Sequence, residues 1–186
     1  MTTNTGRPLE WTIARAQAGD AVALEAVLRE AERTATPMLR RVVGHGAQDV
    51  LQGVLWDVAR KLRWLEDPRA FRAWIYRIAV RAALKHLKRE KRVWPFEPAG
   101  RDEDLERMAA APPPDDSRRD EIEQLLGTLS PRSRIVIVLH YLEELPLDRV
   151  AAVLDVPLGT VKSRLAYGLA ALRREAREKK ERENTV

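Results

Sequence analysis

The stretch Leu147–Arg174, LDRVAAVLDVPLGTVKSRLAYGLAALRR, constrains this chain more than any other. Val150, Ala151, Val153 and Leu154 give a short helix with one apolar face. Asp155 follows where the chain must reverse, and Asp tolerates a left-handed backbone better than most residues. Pro157 suits the first position of a second helix, where its missing N–H leaves nothing unpaired. Val161, Leu165, Leu169 and Leu172 then recur at helical spacing as an inner stripe. Thr160, Lys162, Ser163, Arg164 and Tyr167 fall off that stripe. From Leu158 to Arg174 the charged residues are Lys162, Arg164, Arg173 and Arg174, with no acid among them. A short basic helix delivered by a helix-turn-helix suits the DNA major groove. The plainer alternative is a solvated amphipathic face.

Charge along the rest of the chain is segregated. The whole carries +5 with a pI near 9.8, which favours an anionic partner. From Pro68 to Val93 nine basic residues meet one acid, Glu90, for a net +8. From Trp94 to Glu121 nine acids meet four bases, for a net −5. That acidic stretch holds five prolines, three of them consecutive at Pro112–Pro114. Such a segment reads as an extended linker, with only Asp102–Ala111 able to form a transient helix.

The expected architecture is therefore all-α. Two small helical domains, at residues 8–93 and 118–180, are joined by an acidic Pro-rich linker at 94–117. In the first, Asp20 caps a helix running to about Thr34, and Pro37 opens a short one that Gly44-His45-Gly46 breaks. A helix from about Ala47 to Leu65 carries the stripe Leu51, Val54, Leu55, Val58, Leu62 and Leu65. Asp67-Pro68 starts the next helix with a side-chain cap and a first-turn proline. Phe71, Trp74, Ile75, Ile78 and Ala82 are expected inward there. In the second domain Ser130-Pro131 repeats the start signal. Ile135–Val138 has strand propensity, but its helical surroundings favour helix.

The Pro68–Arg92 helix presents a second basic surface: Arg77, Arg81, Lys85, Lys88, Arg89 and Arg92. Phosphate neutralisation of this kind is sequence-tolerant and salt-dependent. Single-stranded nucleic acid is held by a basic track with aromatic platforms. Trp64 and Tyr76 are the platform candidates, with core as the alternative for each, whereas Trp74 reads as core.

These segments resemble, over nearly the whole length, the extracytoplasmic-function group of the sigma-seventy family of bacterial RNA polymerase sigma factors. RAQAGDAVALEAVL is similar to the family's opening helix. AQDVLQGVLWDVARKL resembles the helix that docks on the polymerase clamp. PRAFRAWIYRIAVRAALKHLKR resembles the helix meeting the downstream promoter element, and LSPRSRIVIVLHYLEELPLDRVAAVLDVPLGTVKSRL resembles region four. VPLGTVKSRL is the most specific match.

The resemblance implies a promoter-specificity subunit with no catalysis of its own and no cofactor. Its implied partners are core RNA polymerase, through the beta-prime clamp and beta flap, promoter DNA, and an anti-sigma protein. Asp49, Gln52, Leu55 and Trp56 become the polymerase-docking set, although Gly53 stands where an acid is common and Leu55 where Phe is common. Arg63, Trp64, Tyr76, Arg77, Arg81, Lys85, Lys88 and Arg89 become the downstream-element set. Arg81 occupies a position where the family has Asn, and Lys85 one that is often Asp or Asn. Both departures exchange shape-specific contacts for positive charge. Thr160, Lys162, Ser163, Arg164 and Tyr167 become the upstream-element set, with Arg164 or Lys162 expected at a guanine edge. Thr160 or Ser163 would position the backbone. Pro146 stands where a capping Ser is common. The acidic linker is either a plain tether or a mimic of nucleic acid inside a polymerase channel.

Two further classes bound the reading. A DNA-binding regulator that keeps this fold without supporting open complexes is the nearest alternative, favoured by Gly53, Arg81 and Lys85. An enzyme is disfavoured. The chain has no cysteine, and its three histidines, His45, His86 and His140, lie in no metal or nucleophile spacing. The opening residues lack an apolar run of signal-peptide length, and the expected location is the cytoplasm, with no membrane insertion.

Overall fold

The structure is a computed structural model that describes residues 8–90 and 125–183. Among these residues every regular element is helical. The linker and the domain limits at 93 and 118 lie outside the described residues. The chain divides into two compact units near the end of the basic helix, between His86 and Leu87.

The first unit begins with α1 (Leu9–Gln17) and α2 (Ala21–Val43). Asp20 caps α2, its carboxylate accepting from the Ala23 N–H at 3.0 Å while pairing with Arg15. The Ala23 N–H and the Arg15 guanidinium hold that carboxyl below its ordinary range. The expected break at Pro37 does not occur, and Pro37 lies inside α2. Ala31, Thr34, Ala35, Met38, Leu39 and Val42 form one buried stripe across the proline. Burial of that stripe outweighs the roughly 3 kcal/mol a helix-interior proline costs. Thr36 also turns its hydroxyl back to the Glu32 carbonyl at 2.7 Å.

Gly44 adopts φ 73° and ends α2. A 3₁₀ turn, Gly44–Gly46, leads into α3 (Ala47–Lys61). Gly46 packs closely under the basic helix, and a Cβ there would lie 2.3 Å from His86 Nε2, so the imidazole would have to move. The helix expected to reach Leu65 stops at Lys61 and tightens into a second 3₁₀ turn, Leu62–Trp64. Asp67 then accepts from the Arg69 N–H at 2.9 Å, opening the turn Pro68–Ala70 and α4 (Phe71–Arg89).

In the second unit Ser130 accepts from the Ser133 N–H at 3.3 Å and starts α5 (Pro131–Ile137). The Ile135–Val138 run is helix, as expected, and wholly buried. Arg134 is buried too, and its Nη2 donates to the carbonyls of Gly127 at 2.8 Å and Leu129 at 3.0 Å. The helix then widens into a π-type turn, Val138–Leu142, which His140 Nδ1 helps close by donating to the Leu145 carbonyl at 2.9 Å. Helices α6 (Leu147–Leu154) and α7 (Leu158–Glu183) complete the unit. Asp155 between them is left-handed at φ 56° and ψ 50°, as its position predicts. Pro157 precedes α7 as its cap residue rather than its first helical residue, its carbonyl accepting from Thr160 and Val161.

The roll of α7 is fixed at one close approach. Ser133 Oγ on α5 donates to the Arg164 carbonyl at 2.8 Å. One turn on, a Cβ on Gly168 would lie 2.5 Å from Ile137 Cδ1 and 3.2 Å from Ser133 Cβ. Gly168→Val is expected to destabilise the second unit by about 1–3 kcal/mol through overpacking. Gly53→Ala, in an open stretch of α3 where a Cβ meets nothing within 4 Å, is expected to stabilise by about 0.5–1 kcal/mol. Thermal melts of the two variants check both signs.

Candidate nucleic-acid interface

Helix α7 carries the first face. Val161, Leu165, Gly168 and Leu169 are buried against the unit, while Leu172, expected on the same stripe, is only half-buried. Thr160, Ser163 and Tyr167 share the opposite side at helical spacing. Lys162 and Arg164 flank that side on opposite edges, so they cannot reach one base edge together. Lys162 is exposed, and the other four are half-buried. The Ser163 hydroxyl donates to the Thr160 carbonyl at 3.1 Å. In that arrangement the proton is used within the helix, and the hydroxyl presents lone pairs outward.

Helix α4 carries the second face. It holds six basic residues and no acid. Arg77, Arg81, Lys85 and Lys88 form one exposed stripe about 17 Å long, from the helical rise. Arg89 is exposed beside it.

Two aromatic assignments are reversed by the structure. Tyr76, expected among the DNA-contacting residues, is fully buried. Its ring fills the core, and its hydroxyl accepts from Arg72 Nε at 3.3 Å and Nη2 at 3.2 Å. Trp74, expected in the core, is only half-buried, tilted against Phe71 with ring centroids 6.1 Å apart. The series 74, 77, 81, 85, 88 puts Trp74 at the head of the basic stripe. That spacing is present in the sequence, but Trp74 also falls on the apolar stripe with Phe71, Ile75 and Ile78, which favours core. Ala82, also expected inward, is half-buried.

The turn before α4 presents Trp64, 61% exposed, with the Arg63 guanidinium 4.0 Å from its ring centroid. On α3, Asp49, Gln52 and Trp56 recur on one exposed face, Trp56 being 67% exposed, and Leu55 is half-buried beside them. Asp49 stands in the first turn, favourable to the positive helix end.

Comparison with known proteins decides what this pair of faces belongs to. Residues 24–93 match the family model described as Sigma-70 region 2, and residues 125–174 match Sigma-70, region 4. The chain is 30% identical over 145 residues to the ECF RNA polymerase sigma factor SigW of Bacillus subtilis, covering 72% of this chain and 77% of SigW. The chain belongs to the ECF sigma factors. The ECF RNA polymerase sigma-E factor of Escherichia coli K12 is 28% identical over 169 residues, covering 82% of this chain and 86% of that protein. In fold, the chain is similar to CnrH, solved in complex with the cytosolic domain of CnrY. The TM-score is 0.65 at 22% identity, over 91% of this chain and 97% of that one. A sigma factor directs transcription initiation by RNA polymerase, and the all-α expectation of two helical units agrees with the structure. No helix among the described residues is long and apolar enough to cross a membrane.

For this sigma factor the buried tyrosine and the exposed arginine separate cleanly. Tyr76→Phe is expected to leave affinity for single-stranded DNA unchanged. Arg81→Ala is expected to lower the slope of log affinity against log salt by about 0.7, the loss of one phosphate contact on a single strand. Salt titration of a fluorescent oligonucleotide measures both.

Proposed function

We propose that this chain binds core RNA polymerase and gives it promoter specificity through two grips. The acid-free basic faces on α4 and α7, one in each of the two family regions, carry the reading. The domain limits are those expected from the sequence, residues 8–93 and 118–180.

In this account α7 enters the major groove of the upstream element. Lys162 and Arg164, on opposite flanks, meet different base pairs or one base and one phosphate. Helix α4 and the turn before it hold the melted downstream element. Trp64 and Trp74 offer aromatic surface, and Arg77, Arg81, Lys85 and Lys88 neutralise phosphates. Arg81 and Lys85 replace amide or carboxylate chemistry with charge, so base selectivity shifts toward the aromatic turn. Asp49, Gln52 and Trp56 on α3, with Leu55 at its edge, face the polymerase clamp, and the second unit meets the beta flap. CnrH is known in complex with the cytosolic domain of another protein, which supports a protein partner besides polymerase, of the anti-sigma class. The chain's place of action is then the cytoplasm, with the polymerase.

The regulator reading, DNA binding without promoter opening, takes its support from the same charges at Arg81 and Lys85. Purified core polymerase separates the two. The full chain is expected to bind core and to drive run-off transcription from genomic DNA. Asp49→Ala combined with Trp56→Ala is expected to weaken core binding at least about tenfold, the scale of a hot-spot loss. No retention of core polymerase by the wild-type chain contradicts the proposal.

A further inference from the structure

The turn that presents Trp64 is held from outside its own segment. Gln17, the last residue of α1, sends its side-chain amide to two carbonyls: Leu62 at 2.9 Å and Leu65 at 2.8 Å. Those two residues bracket Arg63 and Trp64. Leu62 and Leu65 are buried, while Arg63 and Trp64 are exposed. A single side chain, 45 and 48 residues away in sequence, thus ties both ends of a four-residue turn. An amide NH₂ has two donors, and both are used. A backbone bond, Leu65 N–H to the Leu62 carbonyl at 3.0 Å, closes the same turn. Helix α1 itself is anchored by Ile13 and Ala16, both buried, so the amide acts from a fixed base.

The Arg63 guanidinium occupies one face of the indole. A base can then stack only on the other face, with the cation polarising the ring between them. A stacking platform works best when its orientation is set before the base arrives, since ordering it on binding costs affinity.

We infer that Gln17 is a positioning residue for promoter DNA: it holds the Leu62–Leu65 turn so that Trp64 offers one open face to a single unpaired base. The inference rests on the reading that this turn meets melted DNA. It adds a residue from α1, which none of the sequence signals for nucleic-acid contact included.

The test uses holoenzyme assembled from the full chain. The probe is a fork-junction promoter from a run-off-mapped start site, with 2-aminopurine in its unpaired downstream strand. Gln17→Met removes both donors without adding charge, and Gln17→Glu keeps the size but turns carboxylate oxygens on the two carbonyls. Both variants are expected to bind the fork probe about three- to tenfold more weakly, between one lost stacking contact and none. Quenching of the 2-aminopurine is expected to fall with them. Core-polymerase affinity and binding of upstream-element duplex are expected to stay within about twofold, since both lie on other elements. Trp64→Ala is the reference, expected to lose about tenfold on the fork probe. If Trp64→Ala loses fork binding and both Gln17 variants keep it, the positioning role is overturned while the DNA-facing turn stands. If Trp64→Ala also binds the fork like wild type, the turn is not a platform and the inference falls with that reading. If the Gln17 variants lose core, duplex and fork binding alike, Gln17 serves general stability and the inference is likewise overturned.

Discussion

Where α5 meets α7, the close approach of the two helices rests on a glycine at position 168. Gly168 sits against Ile137 and Ser133, and the Ser133 hydroxyl holds the Arg164 carbonyl one turn away. A steric contact and a hydrogen bond, four residues apart, fix both the distance of α7 and its roll. The roll decides which residues α7 exposes. It turns Val161, Leu165 and Leu169 inward and leaves Thr160, Ser163 and Tyr167 facing away, with Lys162 and Arg164 on the flanks. A helix rotated by a single residue, about 100°, would present an apolar face to solvent instead.

The electrostatic logic is one of exclusion. Helix α2 is also rich in arginine, yet Arg29 pairs with Glu25 and Arg33 with Glu30 along its surface. Those charges answer one another and leave little field. Helix α4 has no acid at all, and α7 none before Glu175. Each helix therefore carries a net positive charge over these stretches, the kind of surface that gains affinity for phosphate by releasing condensed counterions. The same absence makes each face weak in selectivity, because phosphate contacts position a protein without reading sequence. Two such faces on separate units suit a protein whose specificity depends on engaging both at once.

Much of this was legible in the chain because local chemistry and tertiary packing agree. Asp20, Asp67 and Ser130 cap the helices they precede, and Asp155 takes the left-handed turn. The Ile135–Val138 run is helical and buried, as its helical surroundings favour, whatever its strand propensity. The failures have a common cause, which is that packing overrides a local signal. Pro37 is carried through α2 by the buried stripe on either side of it. Tyr76 enters the core because Arg72 satisfies its hydroxyl from the surface, which no periodicity reveals. The close approach at Gly168 depends on Ile137, distant in the sequence, and shows only in three dimensions. The π-type turn at Val138–Leu142 and the left-handed Glu144, at φ 57°, have no sequence signature of the Gly or Asn kind. Gln17 depends on a contact across 45 residues and could only be found in three dimensions.

The central claim is that the two faces act together, on DNA that polymerase holds open. Permanganate reactivity of unpaired thymines, mapped on one run-off-defined promoter, tests it most directly. With holoenzyme containing the wild-type chain, thymines in the downstream element are expected to become reactive. The free chain is expected to leave them protected and to bind that promoter at least about a hundredfold more weakly than the holoenzyme, as losing one of two linked contacts implies. Equal duplex affinity with and without core polymerase, and no reactive thymine in either case, would contradict the account.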